Sequence, residues 1–172
     1  MLKMNNEVYY LNSDFVTLNK KEITELEQNA SKNIRKRARI CTHKDSSDIL
    51  QEMFIVHYAE TYVRPHFHKN KIESFHVISG EADVIVFNKD GSILEVVELG
   101  EYNSGKNFYY RINPNIIHCL LIKSEIFVFH ESTLGPFDPA DSGFPEWAPD
   151  GTDQLKSKIF MEKLNVTTIK NN

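Results

Sequence analysis

Cysteine is scarce: Cys41 and Cys119 are the only two in 172 residues. They lie far apart and in no C-x-x-C pair, which argues against a disulfide framework, a zinc ribbon and a thioredoxin-type motif, so both read as ordinary buried thiols. Positive charge is short as well. Lys plus Arg number 20 against 24 Asp plus Glu, a net charge of −4, so the broad cationic field that coats nucleic acid or anionic lipid is missing. No apolar run approaches the ~18 residues of a membrane helix, and Met1 to Asn12 lacks the apolar stretch of a signal peptide. The expectation is a cytoplasmic protein that binds neither nucleic acid nor membrane. Apolar residues make up 41%, slightly under the usual ~45–50%, which points to polar tails.

At this length one compact domain is the default, and a chain of about 150 residues buries roughly 68–70% of its unfolded surface without disulfides or zinc. Leu18-Asn19-Lys20-Lys21-Glu22-Ile23 reads as a helix start. Asn19 is the N-cap, Glu22 reaches back to it, and Leu18 clasps Ile23 as a hydrophobic staple. The helix is expected to run to about Ala30. From Ile34 onward short runs rich in Val, Ile, Phe and Tyr predict strands over 35–42, 53–58, 62–66, 73–79, 82–88, 93–99, 107–112, 118–122 and 126–131. Turn residues at Ser79-Gly80-Glu81, Lys89-Asp90-Gly91-Ser92, Leu99-Gly100 and Asn113-Pro114-Asn115 separate several of them. Many short strands at this spacing mean a β-sandwich or barrel.

The expected organisation is an N-terminal extension with a short helix (1–33), a β-barrel (34–134) and a C-terminal loop and tail packed on it (135–172). The tail is dense in proline from Gly135 to Pro149 and reads as a long ordered loop or lid edge. A short polar helix follows over Asp153 to Leu164 with Leu155, Ile159, Phe160 and Leu164 on one side, and 165–172 reads as frayed.

The chemistry lies in Arg64-Pro65-His66-Phe67-His68-Lys69-Asn70-Lys71-Ile72-Glu73. Strand period two puts His66 and His68 on one face. Glu73 can return on the next strand, and His118, opening a later strand after Asn113-Pro114-Asn115, would complete three imidazoles and one carboxylate. A lone H-x-H reads first as a surface or core pair without metal; the spacing around this one reverses that. His66, His68, Glu73 and Gly80 follow H-x-H, four residues, E, six residues, G, and so resemble the first motif of the cupin superfamily. His118 resembles the end of the second motif, with Asn115 where Gly is usual, Pro114 one place late and Ile122 in place of an Asn. Asn tolerates the left-handed turn that Gly would make.

A closer resemblance is to the WbuC family of cupin-fold metalloproteins, often encoded in O-antigen and other surface-polysaccharide gene clusters. It spans about Arg35 to Pro149. It rests on the Arg-rich lead-in with His43, on Tyr62-Val63-Arg64-Pro65-His66, on Lys71 before Glu73, and on Gly135-Pro136-Phe137-Asp138-Pro139 with Trp147-Ala148-Pro149. The resemblance implies a small jelly-roll-like β-barrel with one divalent metal in its mouth, held by His66, His68, Glu73 and His118, and no assigned reaction. Neutral imidazoles and a carboxylate suit Fe, Mn, Co, Ni, Cu or Zn, so the metal's identity is open. Four protein ligands in an octahedral shell leave two positions for water, substrate or O₂. Closed structural sites usually use Cys-rich tetrahedra, so a metal that serves a ligand is the favoured reading.

Five arginines occur, and Arg35, Arg37 and Arg39 alternate along one predicted strand. That face either holds an anion such as the diphosphate of a sugar nucleotide or is a solvated edge. Arg64 shares the face of the histidines and is expected to contact substrate, the alternative being an ion pair with Glu73 or Glu60. Lys71 meets an anion or faces water. His57, His76 and His130 read as core or surface groups. The expected function is a metal-dependent step on a small polar metabolite, an activated sugar by family association, through isomerisation or epimerisation with the metal polarising a carbonyl or hydroxyl. An Fe(II) dioxygenase and a non-catalytic metabolite-binding module or sensor are the alternatives, and the catalytic acid or base is not assigned. Exposed barrel edges make a homodimer the expected assembly.

Overall fold

The structure, a computed structural model, describes residues 2–11 and 13–171. Its elements in chain order are β1 (Leu2–Lys3), β2 (Val8–Tyr10), α1 (Lys20–Lys32), β3 (Arg37–Cys41), β4 (Leu50–Tyr58), β5 (Phe67–His68), β6 (Glu73–Ser79), β7 (Ala82–Phe87), β8 (Ile93–Leu99), β9 (Tyr109–Ile112), β10 (Ile117–Ile122), β11 (Ile126–Leu134), β12 (Ser142–Gly143) and α2 (Gln154–Asn171). One sheet runs β1-β2-β3-β4-β11-β6-β9, a second β10-β7-β8, and β12 pairs with β5. His66 and His118 bridge β5 to β10 through reciprocal backbone bonds of 3.0 and 2.9 Å. The second layer therefore reads β12-β5-β10-β7-β8, and the whole is a mainly β sandwich with a helix on each outer side.

Alternation along the strands decides which side chain enters which layer. On β11, Phe127 and Phe129 point between the sheets, where they pack with Met53, Ile55, Phe75, Val77, Leu120 and Ile122. Val128 between them points outward and joins Ala38, Ile40 and Val56 under Leu26 and Ala30 of α1. The second sheet buries both faces of β10, which explains why that strand is apolar at every position except His118. Its outer residues Ile85, Cys119 and Leu121 pack against Leu164, Phe160 and Trp147 of the C-terminal segment.

α1 begins as its sequence predicts. Asn19 accepts the Lys21 N–H at 2.8 Å and Glu22 accepts the Asn19 N–H at 3.0 Å, closing the capping box. Differences from the expected elements have identifiable causes. No strand covers 62–66: Pro65 offers no N–H, and regular pairing starts only at Phe67. The N-terminal extension adds β1 and β2 to the large sheet, with β2 parallel to β3. α2 buries Ser157 and Leu164 and packs Phe160 and Met161, while Leu155 and Ile159 are exposed. Its inner stripe is thus shifted, because Ser157 Oγ bonds the Asp153 carbonyl at 2.9 Å and can be buried despite its polarity. The stretch read as frayed continues the helix to Asn171, and Asn172 lies outside the described residues.

Candidate metal centre

β5, β6 and β10 carry the cluster. His66 and His118 face each other across their bridge with ring centroids 4.5 Å apart, and on β6 the alternation that buries Phe75 and Val77 also turns Glu73 inward. Ligand atoms of His66, Glu73 and His118 all lie within 4.8 Å of one another. His118 Nε2 is 3.5 Å from Glu73 Oε1, and His68 Nε2 is 3.2 Å from Glu73 Oε2. His68 thus meets the cluster through Glu73, and its ring centroid is 6.4 Å from that of His118.

Outer contacts orient each ring. The His66 Nδ1–H donates to the Arg64 carbonyl at 2.8 Å and the His118 Nδ1–H to the Ile116 carbonyl at 3.0 Å, so both present Nε2 to the cluster. His68 Nδ1 lies 3.3 Å from Ser142 Oγ and 3.8 Å from Asp141 Oδ2. Asp141 is buried; its Oδ1 accepts from the Asn70 backbone and side chain, while Oδ2 accepts no hydrogen bond and faces His68 alone. Tyr110 on β9 donates its hydroxyl to Glu73 Oε1 at 3.2 Å. Asn115, three residues before His118, adopts φ +66°, the left-handed turn expected of it.

Burial opposes the Glu73 charge. Hydrogen bonds from His118 and His68 and the fields of His118 and His66 outweigh it and hold the carboxyl well below the usual carboxylate range. His118 answers: burial disfavours its cation, yet the Glu73 bond and charge raise its pKa. His66 is lowered to about 4 by burial and by His118. A buried anion encircled by imidazole nitrogens, each held from outside, is a donor set that fits a divalent transition ion.

The C-terminal segment closes one side of this mouth. β12 pairs with β5, Ser142 opposite His68. The Phe144 ring lies 4.5 Å from the Arg64 guanidinium, whose Nη2 donates to the Ala148 carbonyl at 3.2 Å while Nε stays buried and unpartnered. Arg64 therefore sits beside the histidines but ties down this segment instead of pairing with Glu73 or Glu60. Lys71 lies with its Nζ 5.4 Å from the Phe137 ring. Arg37 is bonded to Glu7 at 3.2 Å. His57 is buried in the sandwich, His130 meets Glu52 at 3.8 Å on the outer face of the large sheet, and exposed His76 neighbours Phe108. A groove of about 870 Å³ lined by Ile23, Phe54, Ile78 and His130 opens on that outer face, away from the cluster. Asp141 and Tyr110 escaped the sequence reading. A buried acid in a proline-rich tail has no periodicity to reveal it, and nothing in the strand run 107–112 sets Tyr110 apart from its neighbours.

No curated protein sequence matches the chain. A family model for a domain of unknown function, DUF6016, matches residues 18–99, which takes in His66, His68 and Glu73 but stops short of His118. Among solved structures, protein SO0799 from Shewanella oneidensis is 11% identical with a TM-score of 0.52, covering 74% of this chain and 85% of that one. CapF, crystallised with the inhibitor 3-isopropenyl-tropolone, is 20% identical with a TM-score of 0.50 over 63% of this chain and 31% of its own, so the chain spans about a third of CapF. A protein with a double-stranded β-helix domain from Klebsiella pneumoniae is 16% identical with a TM-score of 0.49, over 64% of this chain and 80% of that one. At these identities the likeness is one of fold alone, and with the strand order above it makes this a mainly β, jelly-roll-like barrel.

Proposed function

We propose that this is a metal-dependent cupin of the WbuC type, whose barrel mouth binds one divalent transition ion and transforms a small polar metabolite, an activated sugar in surface-polysaccharide synthesis. The observation that carries the reading is the convergence of His66, His68 and His118 on buried Glu73, with every Nδ1 engaged from outside. When bound, the ion supplies Lewis acidity toward a carbonyl or hydroxyl oxygen, the chemistry that isomerisation or epimerisation needs. Glu73 and the three histidines hold it, and Tyr110 fixes the carboxylate. Arg64, whose Nε is buried without a hydrogen-bond partner, is the substrate contact at the mouth, and Lys71 a second anion contact, whereas Arg37 is already answered by Glu7. The sugar assignment is supported by the sequence motifs shared with the WbuC family. Cytoplasmic residence and a homodimeric state belong to the same proposal.

Elemental analysis of untagged protein tests the metal, with wild type beside a His66→Ala/His118→Ala double variant. Near-stoichiometric metal in the wild type and its loss in the variant is the expected result; absence from both overturns the reading. Protein loaded with each candidate metal should then convert a nucleotide-linked keto-sugar. Oxygen uptake by aerobic Fe(II) protein in place of that conversion would move the assignment to a dioxygenase.

A further inference from the structure

β3 carries a second polar surface that the metal ligands do not use. Ala38 and Ile40 face α1, so Arg37, Arg39 and Cys41 face the barrel side. His43 follows with the same parity; it is buried, with its ring edge-on to Tyr10 at 5.3 Å. Arg35 and Arg37 share Glu7 at 3.3 and 3.2 Å. Arg39 has no such partner. Among the described residues its guanidinium makes no hydrogen bond or ion pair, and its Nε is closed off from solvent. His43 contacts the Glu52 backbone through Nδ1 at 3.0 and 3.1 Å, which leaves Nε2 buried and unpartnered.

Register connects this surface to the metal cluster. Cys41, Met53, Glu131, Phe75 and Tyr110 form one row across β3, β4, β11, β6 and β9, and Tyr110 touches Glu73. Arg39 and His43 flank the β3 end of that row. Glu131 is the acid whose charge couples to Arg39, but the two make no ion pair, and burial and the charge of Glu73 push the Glu131 pKa up. A buried guanidinium nitrogen and a buried imidazole nitrogen without partners are each destabilising unless something outside the protein completes them.

We propose that Arg39 and His43 form an oxyanion subsite on the β3 side of the barrel mouth, and that the metabolite is an acid whose carboxylate or phosphoryl group sits there while its other end faces His66, Glu73 and His118. Each unpartnered nitrogen can donate to an oxygen of such a group, and the bond from the guanidinium is charge-assisted. This rests on the reading of the mouth as a metabolite site and names the class of metabolite.

The test is calorimetric titration of chelator-treated, full-length protein with inorganic phosphate and with malonate, at constant ionic strength. The proteins compared are wild type, Arg39→Gln, Arg39→Lys and His66→Ala/His118→Ala. Wild type and the double histidine variant should bind at least one of the two anions with similar affinity. Arg39→Gln should lose about tenfold or more, as expected for a charged hydrogen bond, and Arg39→Lys, which keeps the charge without the fork, should fall between. Equal binding by wild type and the folded Arg39 variants, or no binding of either anion by wild type, overturns the subsite. Because the double histidine variant removes the metal ligands alone, anion binding without metal content would sink the metal reading and leave the subsite standing. Metal content without anion binding would do the reverse.

Discussion

Replacing His57 by Gln should flatten the acid side of this protein's stability curve. His57 is 6% exposed, lies opposite Arg37 in the β3–β4 register, and rests edge-on against Phe129 with ring centroids 5.3 Å apart. Burial first, then the charges of Arg37, Arg35 and Arg39, lower its pKa from 6.5 to about 3. The unfolded chain takes up a proton near pH 6.5 that the folded chain refuses. The stability His57 contributes is therefore full above pH 6.5 and is lost as pH falls toward 3. One proton sets a limiting slope of about 1.4 kcal/mol per pH unit, or about 2.7 kcal/mol between pH 7.5 and 4.5. Gln cannot take up that proton, so the difference between the two proteins isolates it. His66, lowered, and His118, raised, titrate alike in both and cancel. The assay is urea unfolding of chelator-treated protein from pH 4.5 to 7.5, followed by circular dichroism. Parallel curves for wild type and His57→Gln would refute the reasoning, because they would mean that the folded protein accommodates a charged imidazole beside Arg37.

Two further outcomes follow from the packing around the cluster. Asp141→Asn keeps the Oδ1 bonds to Asn70 but places a donor where Oδ2 faced His68 Nδ1. Metal affinity measured by competition with a chelator should drop about 10- to 100-fold, with the urea midpoint of the metal-free protein little changed. Phe129→Ala removes a ring that is 1% exposed and stacked 4.1 Å from Phe75. It should cost about 3–5 kcal/mol in urea unfolding, and a loss under about 1 kcal/mol would mean that the two sheets close over the gap.

Local physics made most of the fold readable. The capping box of α1 could be seen in Asn19 and Glu22 because both partners lie within one turn. Half-buried strands such as β6 and β11 show themselves through alternation, and a turn such as Asn115 through the few residues that accept a positive φ. Elements without a local signal escaped. β1 and β2 are two and three residues long and gain their order from β3, beside which β2 lies. Of the apolar stripe read on α2 the fold uses Phe160 and Leu164 and leaves Leu155 and Ile159 exposed, because the face turned inward is chosen by Trp147, Tyr62 and the second sheet.

The same division runs through the site. His66, His68 and Glu73 lie within eight residues, the two histidines sharing a face by strand period two and Glu73 returning on the next strand, whereas Tyr110 and Asp141 meet them only through pairings set by the finished sheets. The arginines show the limit most directly. Arg35, Arg37 and Arg39 are equivalent as sequence, each two residues from the next, and parity alone cannot say whether their face looks into the barrel or out of it. That is decided by which side α1 covers, and α1 covers Ala38 and Ile40. Glu7, brought alongside by β2, then satisfies two of the three. The third is left on the barrel side with a buried nitrogen and no hydrogen-bond partner, so a motif that is ambiguous as a run of charge becomes, through one neighbouring carboxylate and one helix, an opening for an anion at a single place.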